Sequence, residues 1–222
     1  MTNLDATSKT FMSLTNKQNK TNDHKKRTTL RNMKYYVLFG PPGAGKGTQA
    51  TAMVERYNLH HISTGALLRK EIAAGSELGK LAKSLIENGN LVPDEVVEGM
   101  IESEFKSIQG VDGFLLDGFP RTLPQAEALD QILAKTGEGV TGTISIMIPD
   151  AMIMERIKGR ALKEGRADDA SEEIINTRIE TYHNQTEPLI EYYTKAEKYH
   201  EINGTGTVEE VRDSIFNVMD RF

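Results

Sequence analysis

Gly40-Pro41-Pro42-Gly43-Ala44-Gly45-Lys46-Gly47-Thr48 follows the apolar run Tyr35-Tyr36-Val37-Leu38-Phe39 and leads into a stretch of helical spacing. The order of strand, glycine-rich turn, lysine and helix decides the fold. Glycines let the backbone turn with no Cβ in the way, so successive N–H groups converge on one anionic centre, reinforced by the dipole of the next helix. Lys46 adds a mobile cation for the outer phosphates. The pattern G-x-x-x-x-G-K-[ST] is broken in one place: Gly47 follows the lysine and the hydroxyl arrives a residue late, as Thr48. Direct Mg²⁺ ligation by Thr48 is therefore not assumed. A purely structural turn would need neither this many glycines nor the lysine.

A chain of 222 residues buries one good core with room for small inserted segments. It has no cysteine, which excludes disulfides, thiolate zinc sites and cysteine nucleophiles and suits a reducing cytoplasm. No apolar run approaches the roughly 20 residues needed to cross a bilayer, so a soluble protein is expected. The net charge of −5 hides an asymmetry: residues 1–32 hold seven Lys/Arg against two Asp/Glu, and residues 33–222 hold 20 against 30. So acidic a body is a poor nucleic-acid binder.

Residues 1–32, rich in Thr, Asn and Lys, read as a disordered extension, whether an upstream start, an expression remnant or a targeting arm. Met33 precedes the first strand, so the domain is expected over 33–222. From there strand-like and helix-like segments alternate, the mark of a parallel sheet with helices on both faces. Two short helices separated by Gly75 follow the strand His60 to Ser63, and Asn88-Gly89 stops the second. Asp150 is expected to cap the helix over 151–162, and Asp169 with Glu172 the next one as a capping box. Pro188 should kink or end that helix. Thr207 with Glu210 forms a further capping box.

The second informative stretch is Leu115-Leu116-Asp117-Gly118-Phe119-Pro120-Arg121-Thr122, a buried strand ending in a carboxylate, with an arginine four residues on. In open α/β sheets ligands sit beyond the carboxyl ends of the strands, the edge that also carries the phosphate loop. Asp117 is thus placed to hold Mg²⁺ through water, the bland alternative being a helix N-cap. Arg156 and Arg160 are i, i+4 on one helix face. With Arg166 in the polar stretch and Arg178 on the next helix they form a set suited to phosphoryl transfer, which needs planar cations and exclusion of water more than covalent chemistry. Surface salt bridges are the competing reading of these arginines. The histidines His24, His60, His61, His183 and His200 have no metal spacing and read as structural.

Taken with the phosphate loop, Ile62-Ser63-Thr64-Gly65-Ala66-Leu67-Leu68-Arg69, Asp117 to Thr122 and Gly165-Arg166-Ala167-Asp168-Asp169 resemble the adenylate kinase family over about residues 34–220. The resemblance implies a P-loop core holding ATP, a small helical AMP-binding segment over 63–92, and a short lid over 160–170. It implies Mg²⁺-dependent, reversible conversion of ATP and AMP to two ADP by a cytoplasmic monomer. Gly43, Ala44, Gly45, Lys46, Gly47 and Thr48 would cradle ATP phosphates, with Arg156 over the ATP base, Gly206 near it and Arg160 on the phosphates. Thr64 and Arg69 would contact AMP, with Asn90, Leu91 and Val92 beside its adenine. Gly118, Phe119, Pro120 and Arg121 would line the AMP site, Arg121 gripping the phosphate, and Gln125 would read the adenine edge. Lys46, Arg121, Arg160, Arg166 and Arg178 would surround the moving phosphoryl. Gly75 and Gly89 bracket the AMP segment as hinges, Gly159 and Gly165 the lid.

Two departures stand out. Ala66 occupies a position where the family usually has an acidic residue, and the short lid carries no cysteine for a zinc. The alternatives are another nucleoside monophosphate kinase of UMP/CMP type, against which Thr64 speaks, and a non-catalytic nucleotide-binding module. The Asn-Lys-x-Asp expected of a guanine switch is absent.

Overall fold

A computed structural model describes residues 33–164, 169 and 171–222. The expected tail 1–32 and Arg166 lie outside the described residues, as do the other residues of the expected lid at 165, 167, 168 and 170. Five strands, β1 (Lys34–Phe39), β2 (Leu59–Ser63), β3 (Gly113–Asp117), β4 (Gly142–Met147) and β5 (Tyr199–Asn203), form a parallel sheet of order β2-β3-β1-β4-β5. Helices are α1 (Lys46–Tyr57), α2 (Thr64–Ala74), α3 (Glu77–Glu87), α4 (Asp94–Ser107), α5 (Leu123–Ala134), α6 (Asp150–Glu164), α7 (Glu172–Thr181), α8 (Leu189–Lys195) and α9 (Val208–Met219).

The two-residue period of the strands sorts the core into two layers. Tyr35, Val37, Phe39, Phe114 and Leu116 face one side, under Val97, Ile101, Ala126, Leu129, Leu189 and Tyr193. Tyr36, Leu38, Leu115, Ile144 and Ile146 face the other, under Ala50, Met53, Ile153, Ile157 and Ile215. Burying one such side chain contributes about 1.5–3 kcal/mol, so these positions hold the sheet together. Register aligns Leu38 with Asp117 and Phe39 with Ser145, which brings the ends of β1, β3 and β4 to one edge. The glycine-rich loop leaves β1 at that edge.

Helix ends follow sequence with two corrections. Ser63, Ser76 and Thr122 accept from the N–H three residues on, and Thr207 with Glu210 closes a full capping box. The expected box of Asp169 with Glu172 does not form. Ser171 caps α7 by accepting from Ile174 N at 3.3 Å, because two arginines occupy the Asp169 carboxylate. Asp150 is the first residue of α6 rather than its cap. Before Pro188 the helix loosens into a π-turn, Tyr182–Thr186, in which Glu187 N reaches the Tyr182 carbonyl at 2.9 Å. Proline has no N–H to continue the ladder, so α8 starts afresh at Leu189.

Candidate active site

The loop after β1 wraps the start of α1. Gly45 caps that helix with φ 93°, and the place where its Cβ would sit is open space, so the cradle faces a cavity rather than the core. Gly43 to Thr48 line this cavity together with Asp117, Arg156, Arg160, Arg178 and Gly206. Lys46 Nζ donates to the carbonyls of Gly40 at 2.7 Å and Pro41 at 3.0 Å. Burial pushes its ammonium down to about 8; Asp117 opposes the shift, and Arg121, Arg178 and Arg160 add to it.

Two of the arginines, Arg160 and Arg178, converge on one buried carboxylate. Arg160 meets Asp169 through Nε and Nη2, both at 2.8 Å, and Arg178 pairs with the same carboxylate through Nη1. The Asp169 side chain has no exposed surface. Arg156, one turn before Arg160, donates to the Gly204 carbonyl at 2.9 Å and lies against Ala44. A polar network therefore joins α6, α7 and the two loops at the sheet edge.

A second cavity opens beside the first, lined by Thr64, Asn90, Leu91, Val92, Gly118, Pro120 and Gln125. Thr64 Oγ1 donates to the Gly118 carbonyl at 2.9 Å, and Arg121 Nε donates to the same carbonyl at 2.9 Å. Arg121 N donates to Gln125 Oε1 at 2.7 Å. Pro42, Lys46, Gly65, Arg69, Arg121 and Arg178 line both cavities, so every charged side chain of the shared wall is a cation. Phe119, in contrast, has no exposed surface and packs in the core next to the cis Phe119-Pro120 bond.

Asp117 ends β3 with its carboxylate on the cavity and is not a helix cap; Thr122 has that role. Burial alone would raise its carboxyl, but contact with His61 and the charges of Lys46 and Arg121 hold it below the ordinary range. His61 Nε2 lies 3.5 Å from the carboxylate. Reading His61 as merely structural is thus corrected: its imidazole faces the site. The signal was the β2–β3 register, in which Ser63 pairs with Asp117 and the alternation puts His61 on the same face as Ser63. Sequence reasoning also passed over Asp94 and Thr186, which hold Gln125 and Arg121; neither has a local motif to announce it.

A family model described as adenylate kinase matches residues 38–198. The chain is similar to the adenylate kinase of Flavobacterium psychrophilum, with 47% identity over 184 residues that cover 83% of this chain and 97% of the relative. Similarity to that of Bacteroides thetaiotaomicron is 45% over 185 residues, with the same two coverages, and to that of Porphyromonas gingivalis 42% over 186 residues, covering 84% and 95%. The chain belongs to the adenylate kinase family. The span matching the adenylate kinase model contains the phosphate loop, Asp117 and the described arginines of both cavities. Gly206 lies beyond that span yet lines the same cavity as the loop.

Proposed function

We propose that this chain moves the terminal phosphoryl group of ATP to AMP and back, with two ADP as the other side of the balance. The observation that carries the reading is the cationic wall of Lys46, Arg121 and Arg178 between two cavities. A donor held on the phosphate loop and an acceptor held in the second cavity would meet there. The names of the relatives support the same two substrates.

In this reading Gly43 to Thr48 hold ATP phosphates by backbone N–H groups, and Lys46 exchanges its loop carbonyls for phosphate oxygens. Arg160 and Arg178, aimed by Asp169, meet the charge that spreads over the equatorial oxygens in the transition state. Being fixed before substrate arrives, they need no reorganisation during the reaction. Arg121 grips the AMP phosphate, its guanidinium held by Gly118. Thr64 and Arg69 flank AMP, Asn90, Leu91 and Val92 take its adenine with Gln125, and Arg156 and Gly206 take the ATP base. Arg166 is assigned by the family pattern alone.

Asp117 fits Mg²⁺: it is an ionised hard oxygen donor on the cavity that holds the phosphate loop, suited to an ion that keeps several waters. Bound there, Mg²⁺ would neutralise charge on the phosphates. No helix among the described residues is long and apolar enough to cross a membrane. One chain builds both cavities, which supports a monomer as the working unit, and the lack of cysteine suits the cytoplasm. Residues 33–222 suffice for activity; removing 1–32 should leave turnover and melting temperature unchanged.

A coupled assay of ATP with AMP, CMP, UMP and GMP tests the reading. AMP should turn over fastest, and a chain that prefers CMP or UMP would overturn it.

A further inference from the structure

Gln125 is nearly wholly buried, with 2% of its surface exposed, and both ends of its amide are engaged by groups that allow one orientation only. Oε1 accepts from Arg121 N at 2.7 Å, and a backbone N–H can only donate. Nε2 donates to Asp94 Oδ1 at 2.7 Å, and a carboxylate can only accept. Asp94 is itself held: Thr122 Oγ1 donates to its Oδ2 at 3.0 Å while accepting from Gln125 N at 3.3 Å. The first turn of α4 and the cap of α5 are thereby locked around one side-chain amide.

We infer that Asp94 is a specificity-determining positioning residue, which fixes the orientation of the Gln125 amide and so makes the second cavity select 6-aminopurine over 6-oxopurine monophosphates. The inference rests on the reading that Gln125 faces the purine edge. A primary amide has two N–H groups and two carbonyl lone pairs, so after Asp94 and Arg121 are served one donor and one acceptor remain. Adenine offers a donor at N6 and an acceptor at N1; hypoxanthine offers an acceptor at O6 and a donor at N1. The two edges are mirror patterns, and turning the amide over would exchange its preference between them. A freely turning glutamine could serve both bases. The carboxylate of Asp94, with Arg121 N at the other end of the amide, removes that freedom, so a 6-oxopurine in the same pose meets oxygen with oxygen and N–H with N–H. Buried mismatches of this kind separate substrates far more strongly than apolar contacts do.

Asp94→Asn keeps the shape but presents a group able to accept or donate, so it removes one of the two constraints on the amide and leaves Arg121 N as the other. The ratio of kcat/KM for AMP to that for IMP, with ATP as donor, should fall about tenfold, through a higher KM for AMP and a lower KM for IMP. Glu95→Gln removes a charge from the same helix turn and should leave the ratio unchanged. In the unsubstituted chain the Gln125 Nε2 proton bonded to Asp94 should exchange slowly with solvent. Gln125→Ala separates the two ideas. If it abolishes the AMP preference while Asp94→Asn retains the full ratio, the role of Asp94 is overturned and the reading of Gln125 stands. If neither substitution moves the ratio, Gln125 does not read the base and both fall. Equal losses for AMP and IMP in Asp94→Asn, or fast exchange of the Gln125 proton bonded to Asp94, would also overturn the positioning role.

Discussion

Thr186 Oγ1 donates a 2.9 Å hydrogen bond to the carbonyl oxygen of Arg121, from a π-turn 65 residues further along the chain. Thr186 is 8% exposed, so the carbonyl it serves has little access to water as a substitute. Thr186→Val keeps the shape and removes the donor. We expect a stability loss of about 1–3 kcal/mol and a KM for AMP raised about three- to tenfold, with the KM for ATP little changed. Thr186→Ser should restore both. Steady-state kinetics that show equal losses for the two substrates would mean that the bond supports the fold and not Arg121.

Lys46 sets a pH dependence. Its ammonium titrates near 8 against an ordinary value of 10.5. Between those values the unfolded chain holds the extra proton, so for this group stability rises with pH through the window, and below about 8 the burial penalty is present in full. Lys46→Met should therefore not weaken the fold at neutral pH, although it loses the bonds to Gly40 and Pro41. Turnover should fall by about two orders of magnitude or more. Phosphate favours the charged lysine, so ATP binding at pH 8 should take up about half a proton, and ATP affinity should weaken as pH rises through 8. Calorimetry in buffers of different ionisation enthalpy reads this directly; the same uptake in Lys46→Met would assign it elsewhere.

Asp169 aligns two guanidinium groups from two helices. Asp169→Asn leaves Arg160 and Arg178 with a neutral partner in a buried place, and breaking such a pair costs about 3–5 kcal/mol. The fall in kcat should exceed any change in KM, since these arginines are assigned to charge that appears in the transition state. Thermal melts and initial rates check both parts. A variant with normal kcat and a lowered melting temperature would reduce Asp169 to a structural role.

What could be read from sequence was whatever is local. The phosphate loop, the buried strand before Asp117 and the i, i+4 pair of Arg156 and Arg160 are each encoded within a few residues. Their meeting at one sheet edge follows from strand polarity alone. The contacts that tune the site are not local. His61 reaches Asp117 only through the β2–β3 register, and Asp94 reaches Gln125 across 31 residues. Asp169 looks like a helix cap in sequence because aspartate favours caps. In the fold two arginines outcompete the helix end, and Ser171 takes over at little cost.

Gly89 shows the same limit from the other side. Sequence marks it as a helix stop, and its φ of 78° agrees, yet its larger consequence is the neighbour it lets in. A Cβ there would stand 3.0 Å from both Arg178 Cγ and the Ile174 carbonyl, so the end of the expected AMP segment lies directly on α7. Gly137 has a similar φ of 75° with open space where its Cβ would be, which makes it a matched control. Gly89→Ala and Gly137→Ala should both lose about 1–2 kcal/mol of stability from left-handed backbone. Only Gly89→Ala should push on Arg178, and kcat/KM for AMP should drop about tenfold or more, given what small displacements of positioned groups cost. Gly137→Ala should keep near-normal kinetics. Matching kinetics in the two variants would show that the contact between Gly89 and α7 does not govern where Arg178 sits.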